Sequence, residues 1–213
     1  LRAIAEQHGQ ARYSPHEARI DLSSVVDIVN DTIYFLTAMG RPQTALTLEG
    51  AGDMLANALG PDHPHTLTAR SYLADAHRQA GHVSTAIAMF EDVLTDRTRV
   101  LGPDHPDTLT ARSYLAGAHR QAGHLSTAIA MFEDVLPDMT RVLGPDHPDT
   151  LAARGNLALA HQDAGHLSTA IDMHQALLPD MTRVLGPDHP DTLATRNNLA
   201  LAHQDAGHLS TAI

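Results

Sequence analysis

Leu-Gly-Pro-Asp-His-Pro occupies residues 101–106, and the same six residues recur at 59–64, 143–148 and 185–190, each copy 42 residues after the last. A period of ~20–50 residues marks a solenoid, whose units must stack because none can bury its apolar face alone. Between two copies, residues 106–122 carry Leu109, Leu115, Ala116, His119 and Ala122 at three- and four-residue steps, the spacing of one helical face. Asp104 or His105 can cap this helix A, and Pro106 suits its first turn, where the missing N–H costs nothing. Gly123 ends helix A, and Leu125, Ala128, Ile129, Phe132, Val135, Leu136, Met139 and Val142 continue the period to Gly144 as helix B. Two antiparallel helices per unit predict an all-α superhelical solenoid.

The predicted units are 61–102, 103–144 and 145–186 as full repeats, a degenerate first repeat at 20–60, a truncated last one at 187–213, and an N-terminal segment at 1–19. Ser14-Pro15-His16-Glu17 has the form of a capping box ahead of an apolar helix ending at Gly40. Residues 41–59 then match helix B with one residue missing. Residues 209–213 supply only the first turn of a last helix B, so the final helix A should be frayed or packed against another molecule. Pro137 and Pro179 fall inside helix B, where proline removes a hydrogen bond and clashes with the preceding turn, predicting a kink or break near Leu136 and Leu178. Thr95 stands at the equivalent place one repeat earlier.

Composition narrows the chemistry. There is no Cys and no Trp, Tyr and Phe together number seven, and all fourteen basic residues are Arg. Disulfide and cysteine–metal frameworks are excluded. So are a Lys-dependent phosphate loop and a Schiff-base lysine. The net charge of −11 argues against a nucleic-acid backbone as partner. No run of eighteen apolar residues and no charged-then-apolar leader occurs, so neither a membrane partner nor a signal peptide is expected. The chain opens on Leu1 and stops within a repeat, as a piece of a longer protein would.

Leu115, Ala116, Gly123, Ala128 and Phe132, repeated as Leu73, Ala74, Gly81, Ala86 and Phe90, resemble the signature positions of the tetratricopeptide repeat. The 42-residue unit, with Gly-Pro-Asp-His-Pro-Asp-Thr-Leu before helix A, is similar to the kinesin-light-chain type of that repeat, which is abundant in actinobacterial regulatory proteins. The resemblance covers roughly residues 20–213. It departs at His119, which takes the usual Tyr position, and at His174, which replaces the Phe of positions 90 and 132.

The resemblance implies a right-handed superhelix and binding rather than catalysis, with helices A lining a concave groove for a peptide or partner helix. The groove residues carried over are Thr68, Ser71, Tyr72, Asp75, Arg78 and Gln79, then Thr110, Ser113, Tyr114, Gly117, Arg120 and Gln121. The next two helices offer Ala152, Gly155, Asn156, Leu159, Gln162 and Asp163, and Ala194, Asn197, Asn198, Leu201, Gln204 and Asp205. Tyr and Arg in the first half suit aromatic or acidic groups, and Asn and Asp in the second suit a peptide backbone and basic side chains. Net charge drifts the same way, from −1 over 59–100 to −2 over 101–142 and −3 over 143–184. Without Lys, the charge clamp that holds a chaperone's C-terminal carboxylate is not expected.

Other features have a structural reading beside the functional one. Arg70, Arg112, Arg154 and Arg196 could line up to bind anions, but an internal pair with an Asp of the Pro-Asp-His-Pro-Asp block accounts for them. Twelve of the sixteen His are copies of three repeat positions, which points to structural niches before metal or pH sensing. His63 and His65 form a close pair without evident carboxylate support, and His174 reads as a semi-buried core residue. Nothing pairs a nucleophile with a base, so no enzyme, cofactor or metal is expected. The favoured role is the sensor or scaffold module of a larger cytoplasmic regulator, such as a nucleotide-switching signalling ATPase; the alternatives are a self-association element and a His-rich pH- or metal-responsive array.

Overall fold

The computed structural model describes residues 22–207. The segment 1–19, the capping box at Ser14 to Glu17 and the final turn at 209–213 lie outside the described residues. The chain forms α1 (Leu22–Ala38), α2 (Pro42–Leu46), α3 (Glu49–Leu59), α4 (Pro64–Gln79), α5 (Val83–Leu101), α6 (Pro106–Gln121), α7 (Leu125–Val142), α8 (Pro148–Asp163), α9 (Leu167–Val184) and α10 (Pro190–Asp205). From α3 onward each helix packs on the next, α1 and α2 pack on each other and on α4, and α1, α4, α6, α8 and α10 are the successive helices A. The fold is an all-α solenoid of antiparallel helix pairs.

The Pro-Asp-His-Pro block starts each helix A through its histidine. Nδ1 of His63, His105, His147 and His189 accepts the backbone N–H two residues on, at 3.2–3.3 Å. Asp62, Asp104 and Asp146 do something else: each accepts from the Arg near the end of helix B of its own repeat, Arg99, Arg141 or Arg183. Those arginines also hold Asp96, Asp138 and Asp180, which in turn hold Arg70, Arg112 and Arg154. A four-member ion chain therefore closes every complete repeat. The recurring Arg are paired internally as expected, but with helix-B aspartates rather than with the block; Arg196, whose helix B lies outside the described residues, is exposed.

The core repeats with the sequence. Leu67, Leu109 and Leu151 are fully buried, as are Ala74, Ala116 and Ala158 on helices A and Ala86, Ala128 and Ala170 on helices B. Phe132 sits among Leu109 and Ala116 of its own repeat and Ala153 and Leu157 of the next, so one ring joins two units. Alanine at the contacts lets the helices approach closely enough for the large rings to bridge them.

Three expectations need correction. The helices carrying Pro137 and Pro179 are not broken, since α7 and α9 run through both residues. An interior proline costs about 3 kcal/mol, yet Val135 and Met139 on either side of Pro137 are fully buried, and each such burial is worth about 1.5–3 kcal/mol. By contrast, residues 41–59 do not form one helix. A break between α2 and α3 carries i→i−3 bonds from Thr47 to Thr44, Leu48 to Ala45 and Ala51 to Leu48, tight turns that absorb the missing residue. Ala45 thus keeps the buried place of Ala86 and Leu55 that of Arg97, and Gly50 and Gly52 weaken any continuous helix here. Finally, His174 is fully rather than partly buried, with no hydrogen-bond partner for either ring nitrogen.

Candidate functional site

Consecutive helices A form one face, and its first half is aromatic. The rings of Tyr34 on α1 and Tyr72 on α4 lie 5.3 Å apart at 44°, and Tyr114 on α6 stands 5.9 Å from Phe90. A cavity of about 130 Å³ opens between α1 and α4, lined by Tyr34, Thr37, Ala38, Tyr72, Asp75 and Gln79. Loss of water is the main cause that raises the phenol pKa of Tyr72, and it pushes that of Tyr114 up to about 12, helped there by the carboxylates of Asp149 and Asp75. Both remain protonated donors across the physiological range.

Beneath these tyrosines lies Arg97, 5% exposed, whose guanidinium donates to the carbonyl of Asp107 at 2.8 Å. Burial lowers its pKa, and the nearby Asp107, Tyr114 and Tyr72 oppose that. Met139 and Met181 take the same place in the following repeats. The aromatic half therefore rests on a buried cation, and the second half on thioethers.

In the second half, Asn156 on α8 and Asn198 on α10 face a cavity of about 200 Å³ with Gly155, Leu159, Ala152 and Ala194. Each amide offers a donor and an acceptor there, the pairing that an extended backbone requires.

The remaining expected groove residues divide sharply. Ser71 and Ser113 are buried, and Ser71 donates to the carbonyl of Leu67 within its own helix, so neither is presented to a ligand. Asp75 accepts from Arg78 and Gln79. Arg78 donates to Gln121 at 3.1 Å and Gln121 donates back to the Arg78 carbonyl; Arg120 donates to Asp163 at 2.7 Å, and Gln162 to Asp205 at 2.8 Å. Each link joins residues 43 apart, so these side chains tie one helix A to the next. Asn197 and Gln204 are exposed on α10. Tyr34 escaped the sequence reading because the degenerate first repeat puts it where the next repeat has Asp75, a residue of different type, and Arg97 because its counterparts in the following repeats are Met.

Among the described residues no three His, Asp or Glu side chains converge as a metal set. His63 and His65 stack with ring centroids 5.4 Å apart, and His65 lies 3.4 Å from Asp27, so the pair does have a carboxylate neighbour, on α1. No described helix is long and apolar enough to cross a membrane.

The family model described as tetratricopeptide repeat matches residues 66–107, 108–149 and 150–191. No curated protein is significantly similar in sequence. The chain is 27% identical to a structure of nearly identical TPR-like repeats assigned to a kinesin light chain of Podosopora anserina, covering 91% of this chain and 92% of that one with a TM-score of 0.69. BtubC (BKLC) from P. vanneervenii shares the fold at 20% identity, covering 90% and 75%, with a TM-score of 0.70.

Proposed function

This chain belongs to the tetratricopeptide repeat family, whose members generally mediate protein–protein interaction, and from that premise we propose that its helix-A face is a groove for an extended peptide or partner helix. The observation that carries the proposal is the open cavity between α8 and α10 with the Asn156 and Asn198 amides at its wall. A partner backbone would run along these amides, while Tyr34, Tyr72 and Tyr114 would take an aromatic or apolar side chain. The module would serve as the sensor or scaffold of a larger regulator. Selection from a displayed peptide library, followed by affinity measurement, tests it. Asn156→Ala with Asn198→Ala should weaken selected peptides at least about tenfold, the loss of roughly one charge-free hydrogen bond per residue. Undiminished affinity in that variant and in Tyr72→Ala with Tyr114→Ala would overturn the groove.

A further inference from the structure

Among the described residues, three histidine pairs stand where a helix A turns into its helix B. Nδ1 of His77 faces Nδ1 of His82 at 3.2 Å, and His119 with His124 and His161 with His166 repeat the same separation. The backbone sets this distance. Each helix A ends on an alanine followed by a left-handed glycine, Gly81, Gly123 or Gly165, at φ 78–87°. The N–H of the second histidine then donates to the carbonyl of the first at 2.9–3.0 Å, the six-to-one bond of a Schellman turn. That turn brings the two flanking side chains together, and here both are imidazoles.

Two neutral imidazoles facing through Nδ1 can share one hydrogen, and the same two nitrogens can converge on a cation. Nitrogens ~2.0–2.1 Å from a tetrahedral zinc ion lie about 3.3–3.4 Å apart, close to the separation seen here; a square-planar ion would hold adjacent nitrogens at about 2.8–3.0 Å. Within each pair the first ring is half-buried and the second exposed. The exposed ring has no other side-chain hydrogen bond among the described residues, so it is the one that can turn toward an ion.

A carboxylate backs the anchored ring. Glu49 Oε1 lies 2.6 Å from His77 Nε2, which places the ring hydrogen on Nε2 and leaves the Nδ1 lone pair outward. Carboxylates behind ligating histidines orient the ring and raise its basicity. Glutamate recurs 42 residues on at Glu91 and again at Glu133, and these act electrostatically on His119 and His161. At the next copy Gln175 takes the place, 3.4 Å from His203 Nε2.

We propose that each of the three pairs chelates a zinc-like divalent transition ion through both Nδ1 atoms, with water or an outside ligand completing the tetrahedron. When the ion enters, the exposed ring carries its hydrogen on Nε2 instead of Nδ1, so coordination releases no net proton. The overall charge of −11 attracts cations to the chain. These sites sit on the inter-helix turns and do not depend on the groove.

Calorimetric titration of the full chain with zinc tests the proposal, with cobalt absorption reporting geometry. The native chain should bind zinc and give cobalt bands of tetrahedral intensity. The variant His82→Gln, His124→Gln, His166→Gln should lose three bound ions while keeping its helical content. His124→Gln alone should lose one, which covers the case in which the triple variant fails to fold. Glu49→Gln should weaken a single site about tenfold without changing the stoichiometry. No zinc uptake by the native chain, or an unchanged stoichiometry in the histidine variants, overturns the proposal, and either result leaves the peptide measurements untouched.

Discussion

The second and third repeats differ from the fourth and fifth in what fills one shared frame. At the ring position that joins neighbouring units, Phe90 and Phe132 give way to His174, all fully buried. On the helix-A face Tyr72 and Tyr114 give way to Asn156 and Asn198, and at the inner end of helix B the change comes one repeat earlier, from Arg97 in the second repeat to Met139 and Met181 in the third and fourth. The histidine caps and left-handed glycines stay the same throughout, and the ion chain is the same in the second, third and fourth repeats. Residues that set backbone geometry thus hold the period, and those that only fill space or meet a ligand are free to diverge.

The sharpest break of this comparison lies at the ring position. Phe132→Ala should cost about 4 kcal/mol, the usual loss for a buried phenylalanine, whereas His174→Ala should cost about 1 kcal/mol, because it also removes two unsatisfied buried nitrogens. Guanidinium unfolding of both variants measures the difference, and equal losses would erase the distinction between the two halves.

Next in size, His174→Phe should stabilise the chain by about 2 kcal/mol, since the Phe90 and Phe132 niches show that the ring fits and the orphaned nitrogens disappear. Burial alone holds the His174 ring below the ordinary histidine pKa. The unfolded chain therefore binds the proton more readily, and the stability tied to His174 is intact above about pH 6.5 and falls as the pH drops from there. Thermal melts from pH 7.5 to 5 should show the gap between the variant and the native chain widening with acid; a constant gap would mean that the ring is protonated or exposed in the fold.

The smallest effect concerns Arg97. Its guanidinium has one hydrogen bond to the Asp107 carbonyl and an unpartnered Nε. Replacing a buried ion by an apolar side chain of similar size is often neutral or stabilising, so Arg97→Met, which copies the later repeats, should gain about 1 kcal/mol. A loss of that size instead would show that the Asp107 tie outweighs the desolvation of the charge.

Local rules carried the fold. The Leu-Gly-Pro-Asp-His-Pro echo, the Gly after each helix A and the three- and four-residue apolar steps determine helix starts, stops and faces within a few residues, because capping and periodicity depend on near neighbours in the chain. The 42-residue period then made stacking unavoidable. Tertiary structure alone decided the pairings. Asp62 reaches Arg99 across 37 positions, Arg120 reaches Asp163 across 43, and Ser71 turns inward to Leu67 although it stands beside Tyr72 in sequence. It also split residues 41–59 into α2 and α3, because a missing residue rotates everything after it by about 100° about the helix axis, and only the packed neighbours Ala45 and Leu55 reveal that a break costs less than exposing them. Which copied side chains are cross-links and which stay open to a partner depends on distances between units, and a sequence written along one dimension does not contain them.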